Sequence, residues 1–338
     1  MEKDKKKYDS IILLGDTGAS RQVYGTNKAL LKINGIPSFI YVLKALEKAE
    51  KVDRICLIGP KEKITQAIEN HFHLPDDKKE IIALEQGSTL FSNAWKSFLY
   101  LYPEAKESTS ITSSQSEKAV LYIPGDVPLT TPFEIDTFLN LCEVDMYDFF
   151  QGFTPAESLY YFYPQKGKPG ITSNYFYARE GEYRHNNLNL VKPLKVANRE
   201  YIQKVYDFRY QRDFSNIAKL AIEFIKAHVG LQVFWCYGLL HWHQLLSRMH
   251  LNPLTLPTRK LLPLSLVERC VSSILGTRFT TVTSPLAGTV LDIDNENDFK
   301  AMCEMFVDWQ DYQSQRNKMF KEKHTLNHKH SHSTHDAA

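Results

Sequence analysis

The chain has 338 residues, of which 43% are hydrophobic and 24% are charged. This length and composition suffice for one large folded domain or two smaller ones, and they exclude a disordered protein. The 41 basic and 39 acidic residues nearly cancel, so the chain lacks the electric field of a nucleic-acid-binding protein and we expect no nucleic-acid partner.

The amino terminus is rich in lysine but lacks the apolar stretch of a signal peptide. Five cysteines occur singly, without a Cys-x-x-Cys pair, which is typical of reduced thiols in a cytosol. No segment reaches the roughly 18 uncharged apolar residues that span a bilayer. We therefore expect a cytoplasmic protein without stable membrane insertion.

The first half of the chain alternates apolar runs with segments of helical period. The runs predict strands buried on both faces, and the periodic segments predict helices. Four such alternations predict an α/β fold with a mainly parallel sheet, helices on both faces and ligands at the carboxyl ends of the strands. The predicted strands span residues 11–14, 54–58, 80–84 and 119–123, and the predicted helices span 37–49, 61–70 and 88–101, with a fourth that begins in a capping box of Thr131 and Glu134.

The second half is organised differently. Residues 104–118 are polar and predict a solvated loop, while the aromatic runs between 148 and 195 predict added strands or a lid. Residues 198–276 have helical patterns, among them a capping box of Ser265 and Glu268 in a helix that ends at Gly276. Within this stretch, residues 229–246 predict a helix buried in the protein or, alternatively, one associated with a membrane surface.

A loop of small and polar residues follows the first predicted strand. It is neither a Walker A sequence nor a complete dinucleotide fingerprint. Its backbone N–H groups can approach phosphates while Arg21 and Lys28 neutralise negative charge. From spacing alone, a surface loop with two solvated cations is an equally good interpretation. The loop reads Leu14-Gly15-Asp16-Thr17-Gly18-Ala19-Ser20-Arg21, and Lys28 follows seven residues later.

Three motifs in chain order resemble those of nucleotidyltransferases with the GT-A type fold, and the nearest branch is the molybdenum-cofactor guanylyltransferase-like one. The loop after the first strand is similar to the family's L-x-G-G-x-x-S-x-R…K-x-L signature. Residues 122–129, YIPGDVPL, resemble its G-D-x-P-L segment, and residues 291–299, LDIDNENDF, resemble its closing D-I-D-T-P-E-D-L. The resemblance covers roughly residues 10–195 and 281–300 and implies a three-layer, Rossmann-like fold.

The resemblance implies a Mg²⁺ site and a nucleotide site, with GTP as the nucleotide of the nearest branch. Asp126 would hold the metal, which is a hard cation that prefers oxygen ligands. An aspartate in such a turn can alternatively bond its own backbone. Asp292 and Asp294 would assist Asp126. They are two residues apart, on and directly after a predicted strand over 288–293, so they share a face. As an alternative, they end the strand and cap the next helix.

The predicted nucleotide-binding residues come from two loops. Gln86, Gly87 and Ser88 follow the third strand and, together with Asn93, resemble the family's base-binding or acceptor-binding loop. The resemblance departs at Asp16 and Thr17, where the family has paired glycines. A carboxylate at Asp16 weakens nucleotide binding unless it turns away or helps to hold a metal. The full predicted set is Leu14, Gly15, Gly18, Ser20, Arg21, Lys28, Gln86, Gly87, Ser88 and Asn93, with Arg21, Lys28 and Asp126 as catalytic residues.

The implied activity is transfer of a nucleoside monophosphate from an NTP to a phosphorylated small-molecule acceptor, with release of pyrophosphate. One alternative is a nucleotide-binding or scaffold module without catalysis, because Asp16 and Thr17 depart from the family. Another is a nucleotide-sugar glycosyltransferase that uses Asp292-Ile293-Asp294 as a D-x-D metal motif. The oligomeric state, the acceptor and the base of the NTP stay open.

The family resemblance also divides the chain into four expected parts. Residues 1–195 are the expected nucleotidyltransferase core, residues 196–280 a helical insertion, and residues 281–312 a closing strand and helix of the core. Residues 313–338 are expected to be a disordered, histidine-rich tail, because few apolar groups there offset the entropy of ordering the backbone. The histidines of the tail are candidate Zn²⁺ or Ni²⁺ ligands or simply polar residues.

Overall fold

An eight-stranded sheet forms the centre of the part of the chain that a computed structural model describes, which is residues 6–16, 22–72, 79–107, 112–204, 231–249 and 252–333. Two short hairpins, β2–β3 and β4–β5, accompany the sheet. The strands are β1 (Tyr8–Leu13), β2 (Gln22–Val23), β3 (Thr26–Asn27), β4 (Lys32–Ile33), β5 (Ile36–Pro37), β6 (Val52–Gly59), β7 (Ile81–Glu85), β8 (Val120–Pro124), β9 (Phe149–Pro155), β10 (Phe176–Ala178), β11 (Gly181–Val191) and β12 (Phe279–Thr283).

The sheet is mostly parallel and has the order β12-β9-β11-β8-β1-β6-β7, with β10 paired to β11. Strand β1 pairs in parallel with β6 and β8, and β9 pairs in parallel with β12. Strand β11 runs antiparallel between β8 and β9. The predicted α/β, Rossmann-like fold is therefore confirmed, and all four strands predicted in the first half are present.

Helices cover both faces of the sheet, as the fully buried neighbours Ile11 and Ile12 of β1 show. Ile12 packs with Phe39 on one face, and Ile11 packs with Phe98 on the other, because successive side chains of a strand point in opposite directions. The helices are α1 (Ser38–Lys48), α2 (Lys61–His71), α3 (Leu90–Leu101), α4 (Glu104–Glu107), α5 (Ser113–Ser116), α6 (Pro132–Leu141), α7 (Leu231–Arg248), α8 (Leu256–Arg259), α9 (Leu264–Leu275) and α10 (Glu296–Ser333).

The capping box predicted at the start of α6 forms only in part. The hydroxyl of Thr131 accepts a hydrogen bond from the backbone N–H of Glu134 at 3.2 Å. The Glu134 carboxylate does not return to the cap. It accepts instead from the backbone N–H and the hydroxyl of Thr289, at 3.1 and 2.8 Å. These donors are buried in a segment far along the chain, so a contact that local spacing could not predict satisfies them.

The second predicted capping box is wrong for the same reason. Helix α9 begins at Leu264 without a side-chain cap, and Glu268 accepts from Thr280 and Thr281 of β12 at 2.7 to 3.1 Å. The predicted end of this helix is confirmed: Gly276 has φ +59°, a left-handed conformation that glycine adopts at helix ends without strain.

The closing strand lies earlier in the chain than predicted. Strand β12 covers residues 279–283 and pairs with β9, whereas residues 288–290 form a 3₁₀ turn and residues 291–294 have no regular structure. The apolar run over 288–293 is buried, but its burial comes from packing against α10 residues such as Phe306 and Trp309 and not from strand pairing. The threonine-rich β12 has a weaker apolar pattern.

The chain is helical where the sequence predicts a disordered tail. Helix α10 extends to Ser333 and not to Tyr312, and residues 334–338 lie outside the described residues. Its middle packs against the start of α6. Phe320 contacts Phe133 with ring centroids 6.0 Å apart, and Asn317 donates to Thr131 at 3.1 Å. Of the few apolar residues beyond 312, Phe320 therefore has an aromatic partner, whereas Met319 is exposed.

The predicted helical insertion contains α7, α8 and α9, although its residues 205–230 lie outside the described residues. Its small core joins α7 to α9 through Val233, Cys236 and Cys270. His243 of α7 is buried and bonds the Thr258 hydroxyl at 2.8 Å, while His241 is exposed, as their spacing indicates. Within the described residues, no helix is long and apolar enough to cross a membrane.

Candidate active site

Asp126 lies at the carboxyl end of the sheet, in a turn directly after β8. Gly125 precedes Asp126, and the backbone N–H of Gly125 donates to the carbonyl of Leu13 at 3.2 Å. A Cβ atom on Gly125 would lie 2.1 Å from Cδ2 of Leu14 and 3.0 Å from Phe39. The glycine of this motif is therefore required sterically, because it lets the turn that carries Asp126 approach the loop after β1.

The segment that carries Asp292 and Asp294 lies beside this turn. The backbone N–H of Ile293 donates to the carbonyl oxygen of Asp126 at 3.2 Å. Just before it, Thr289 is held from two sides, by Glu134 of α6 and by the Asn187 side-chain amide, which donates to the Thr289 carbonyl at 2.8 Å. Two elements thus anchor the irregular segment and bring its aspartates to the end of β8.

Lys28 lies between two of these carboxylates. Its ammonium nitrogen is 2.9 Å from Oδ2 of Asp126 and 3.0 Å from Oδ1 of Asp294. Burial alone lowers the pKa of Lys28, but the two carboxylates outweigh burial and raise the pKa above its usual value. The lysine is therefore positively charged and is held at the point where the motifs after β1, after β8 and after the last 3₁₀ turn meet.

Asp292 is a largely buried carboxylate beside this lysine. Burial raises its pKa to about 6, the negative charges of Asp294 and Asp126 add to this effect, and Arg184 opposes it. Arg184 of β11 donates from Nη2 to Oδ1 of Asp292 at 3.3 Å. The Nε atom of Arg184 is buried and has no hydrogen-bond partner among the described residues. A ligand with negative charge would satisfy this donor.

Sequence reasoning missed Arg184. The residue lies in an antiparallel strand for which the sequence indicates only a region of aromatic runs. Its one sequence clue is a charged side chain in an otherwise strand-forming segment, Tyr183-Arg184-His185. Its position in the sheet depends on the pairing of Arg184 with Thr154 in β9, which cannot be inferred from local pattern. We call Asp126, Asp292, Asp294, Lys28 and Arg184 the carboxylate cluster.

The loop after β1 is fastened to the cluster by Asn27. The Asn27 amide donates to the Leu14 carbonyl at 2.8 Å, and its side-chain oxygen accepts from the backbone N–H of Ala29 at 3.0 Å. Lys28 lies between Asn27 and Ala29 in the chain, so these two bonds fix it beside the end of β1. Of the remaining predicted phosphate contacts, Gly18, Ser20 and Arg21 lie outside the described residues.

The loop after β7 meets the loop after β1. Gln86 and Asp16 bond each other reciprocally: the Asp16 N–H donates to Oε1 of Gln86 at 3.0 Å, and Nε2 of Gln86 donates to the Asp16 carboxylate at 2.5 Å. Asn93 accepts from the Gly87 N–H at 2.6 Å, and its amide nitrogen would lie 2.8 Å from a Cβ on Gly15. The structure thus brings Gln86, Gly87 and Asn93 to Gly15, while Ser88 is exposed.

No metal site is preformed in the described part of the chain, since no group of three or more His, Cys, Asp or Glu there is arranged to hold an ion. The donors are nevertheless of the right kind. Asp126 and Asp294 already share one cation, the ammonium of Lys28, and carboxylate oxygens are the ligands that Mg²⁺ prefers. The side chains of the tail histidines lie outside the described residues.

Comparison with known proteins supports the fold. No family model and no curated protein matches the chain. A hypothetical transferase from Thermus thermophilus shares 21% identity and superposes with a TM-score of 0.53 over 86% of this chain and 99% of its own. A 4-diphosphocytidyl-2C-methyl-D-erythritol synthase from Anaerococcus prevotii shares 14% identity, with a TM-score of 0.38 over 59% of this chain and 76% of its own.

Proposed function

We propose that the protein is a Mg²⁺-dependent nucleotidyltransferase that joins the nucleoside monophosphate of an NTP to a phosphorylated small molecule. The observation that carries this proposal is the position of Lys28. This largely buried and charged lysine is held by Asp126 and Asp294 at the carboxyl ends of the strands, directly beside the loop after β1. The fold supports it, because the Thermus thermophilus protein of similar fold is described as a transferase.

The chemistry requires two kinds of charge close together, and the cluster contains both. In the proposed reaction an oxygen of the acceptor phosphate attacks the α-phosphorus of the NTP. The bond from that phosphorus to the bridging oxygen breaks, and pyrophosphate leaves with the electron pair. Negative charge grows on the leaving group, where Lys28 and Arg21 would neutralise it. No nucleophilic side chain is needed, because positioning and charge neutralisation supply most of the acceleration.

The carboxylates are the proposed metal ligands. Asp126 would hold Mg²⁺ together with Asp292 or Asp294, and the ion would supply positive charge at the phosphates. Lys28 lies between Asp126 and Asp294, so it keeps the carboxylates compensated and is already next to the phosphate loop. On binding of the metal and nucleotide, Lys28 would exchange its carboxylate partners for phosphate oxygens.

The two loops give the nucleotide its proposed contacts. Leu14 and Gly15 after β1, and Gln86, Gly87, Ser88 and Asn93 after β7, would contact the base and sugar. Gln86 would exchange its bond to Asp16 for one to the ligand. GTP is the nucleotide that the family resemblance favours. Arg184, whose Nε atom has no described partner, would contact the phosphate of the acceptor.

A pyrophosphate-release screen tests this proposal. Purified protein with Mg²⁺ is offered each of the four NTPs against a panel of phosphorylated acceptors. Asp126→Ala should abolish release, while Asp311→Asn, an exposed aspartate on α10, should leave it unchanged. Absence of release with every pair, or full activity of Asp126→Ala, would refute the reaction.

One observation favours a second candidate, a nucleotide-binding module without catalysis. The Asp16 carboxylate occupies Gln86, a predicted nucleotide contact, and adds negative charge at the phosphate loop. Thermal unfolding and pyrophosphate release together separate the two. An enzyme of the proposed kind should be stabilised by NTP and Mg²⁺ together more than by either alone and should release pyrophosphate, whereas a module without catalysis should release none even where the nucleotide stabilises it.

A further inference from the structure

Three buried polar atoms without a hydrogen-bond partner in the described part of the chain lie close together at the carboxylate cluster. They are Nε of Arg184 and the hydroxyl oxygens of Tyr163 and Tyr175. The ring centroids of the two tyrosines are 6.5 Å apart. Nη1 of Arg184 donates at 3.5 Å to the carbonyl of Asn174, the residue directly before Tyr175. Buried polar groups are nearly always paired in folded proteins, so three neighbours without partners indicate a place for a ligand.

The two tyrosines come from one segment that folds back on itself beside the sheet. The backbone N–H of Ile171 donates to the carbonyl of Phe162 at 2.8 Å. A Cβ atom on Gly170 would lie 2.3 Å from the backbone carbonyl carbon of Tyr163, so glycine lets the two arms of the segment touch. Tyr175 directly precedes β10, which pairs with β11. Backbone contacts thus bring both rings to β11 without using their hydroxyl groups.

The hydroxyl ends of both tyrosines face inward, since each residue is partly exposed but its hydroxyl oxygen is buried. Burial raises the pKa of Tyr163 to about 12. The charge of Arg184 opposes this rise, as does the backbone N–H of Ser173, which is near the hydroxyl without forming a regular hydrogen bond. The hydroxyl of Tyr163 therefore keeps its proton at neutral pH and is available as a donor to an anion.

We propose that Arg184, Tyr163 and Tyr175 form the subsite for the acceptor substrate, and that this acceptor is a phosphate monoester. The inference rests on the proposed nucleotidyl transfer and specifies the group that attacks. A monoester has three terminal oxygens, so two of them can accept hydrogen bonds from the three donors while the third is presented to the α-phosphorus. A phosphate diester or a carboxylate has only two such oxygens and cannot do both equally well.

Arg184 connects this subsite to the proposed metal ligands. Its Nη2 atom donates to Oδ1 of Asp292 at 3.3 Å. A guanidinium has five N–H donors in a fixed plane, so Nη2 can remain on Asp292 while Nε binds the acceptor. The aspartate thereby fixes the orientation of the arginine. The acceptor phosphate is then held next to the carboxylate cluster, where the α-phosphorus of the NTP would lie.

Binding of methyl phosphate tests the subsite without any NTP or metal. Full-length protein is titrated by isothermal calorimetry at pH 8, where a phosphate monoester is a dianion. Dimethyl phosphate and acetate represent the two rejected classes of acceptor, and we expect methyl phosphate to bind at least about 10-fold more tightly than either. Tyr163→Phe with Tyr175→Phe should weaken this binding by about 10-fold, because two hydrogen bonds to the anion are lost. The matched control Tyr100→Phe, at an exposed tyrosine of α3, should bind like the wild type.

Thermal unfolding without phosphate distinguishes a binding role from a structural one. A hydroxyl that has no partner in the free protein does not stabilise it, so the double variant should unfold at or above the midpoint temperature of the wild type. Hydroxyls that hold the fold through a buried water would instead make the double variant less stable. A lower midpoint without phosphate would therefore assign both hydroxyls to the structure and overturn the proposal.

Three binding results would also overturn the proposal: no binding of methyl phosphate to the wild type, equal binding to the wild type and the double variant, or equal affinity for all three probes. Methyl phosphate bound at the loop after β1 would give the second result, because neither tyrosine belongs to that loop.

Kinetics separate failure of the subsite from failure of the proposed reaction. Where an acceptor releases pyrophosphate with the wild type, the double variant should raise KM for that acceptor by about 10-fold and leave KM for the NTP unchanged. An unchanged KM for the acceptor would refute the subsite while the reaction stands. Absence of pyrophosphate release would refute the reaction, and the affinity for methyl phosphate would still decide whether the three residues bind a phosphate monoester.

Discussion

The two ends of the sheet both carry buried ionic groups, but the balance of charge differs between them. At the amino ends of β9 and β12, Asp148 accepts from Nε and Nη2 of Arg278 at 2.6 and 2.7 Å and from Lys192 at 3.2 Å. Lys192 also contacts Glu117 at 2.5 Å, and Lys195 contacts the same carboxylate. We call these five residues the basal ion network. It has three cations for two carboxylates.

The carboxylate cluster at the opposite end has the reverse balance, with three carboxylates and, among the described residues, two cations. The pKa values follow this difference. Burial raises the pKa of Asp148, but its bonds to Arg278 and Lys192 outweigh burial and lower it below the usual value. Burial and the neighbouring carboxylates Asp294 and Asp126 raise the pKa of Asp292 to about 6, because Arg184 at 3.3 Å and Lys28 oppose this rise only in part.

This contrast distinguishes a structural ion network from the proposed binding site. In the basal ion network each carboxylate contacts at least two cations, so the acidic groups are compensated without a ligand. The carboxylate cluster has excess negative charge and an arginine nitrogen without a partner in the described chain, so it gains most from a ligand that brings a cation and an anion together, as a metal-bound nucleotide does. Perturbing each end separately tests whether this distinction holds.

The largest effect is expected at Lys28. Lys28→Met should lower the rate of the proposed transfer by about 100- to 1,000-fold, because it removes a charge that stabilises the leaving group. It should also leave Asp126 and Asp294 without their cation, so thermal unfolding of the variant should respond to Mg²⁺ alone more strongly than that of the wild type.

Lys32→Met, at an exposed lysine of β4, is the matched control and should change neither property. MgCl₂ must be compared with NaCl of equal ionic strength. If Lys28→Met gains no response to Mg²⁺, the position that Lys28 occupies is not a cation site for metal.

The next largest effect is expected in the basal ion network and concerns stability alone. Asp148→Ala should lower the free energy of unfolding by about 3–5 kcal/mol, since it removes the buried carboxylate that accepts from both Arg278 and Lys192 and leaves the buried Lys192 with one carboxylate fewer. Urea unfolding measures this, with exposed Asp145→Ala as control. Added Mg²⁺ should not narrow the difference in stability between the variant and the wild type. A narrower difference would mean that both ends of the sheet bind metal and that the contrast between them is false.

Glu134 provides an intermediate case, a fully buried carboxyl group that accepts hydrogen bonds from uncharged donors of Thr289. Burial raises its pKa to about 7 from the ordinary 4.5. The folded protein therefore holds the proton more tightly than the unfolded chain does. The stability from this group is full below pH 4.5 and is lost as the pH rises towards 7, by up to about 3 kcal/mol.

Glu134→Gln should remove that component, because glutamine keeps the acceptor for Thr289 and does not ionise. The free energy of unfolding of the wild type, measured from pH 4.5 to 8, should fall relative to that of the variant. Parallel curves for the two proteins would show that Glu134 is ionised at neutral pH in the folded state.

The sequence predicts much of the fold because the periodicity of β1, β6, β7 and β8 reflects burial on both faces. The errors at the two helix caps share one physical cause. Local spacing predicts Glu134 and Glu268 in helix caps, but Glu134 bonds Thr289, and Glu268 bonds Thr280 and Thr281 of β12. Long-range hydrogen bonds leave no periodic trace in the chain.

The site was predictable to the extent that it depends on strand ends. Asp126 and the loop after β1 follow neighbouring parallel strands, so their proximity follows from the topology. The proximity of Asp294 to Lys28 does not, because it depends on an irregular segment anchored through Thr289. The position of Arg184 could not be predicted for a related reason, because it depends on the register of an antiparallel strand.

The smallest effect is expected at Glu117, which belongs to the same network as Asp148 but has a half-exposed side chain. Its pKa is lowered by hydrogen bonds from Lys192 and Lys195, so its contribution to stability is present above its ordinary pKa and is lost as the pH falls. Solvent screens such a contact, and Glu117→Gln should cost less than about 1 kcal/mol, a difference that high salt reduces further. Urea unfolding at low and high salt measures it, with Glu104→Gln on the same surface segment as control. A loss of stability as large as that of Asp148→Ala would mean that the exposed Glu117 and the buried Asp148 act as one unit. Burial would then not decide how much each charge of the basal ion network contributes to stability.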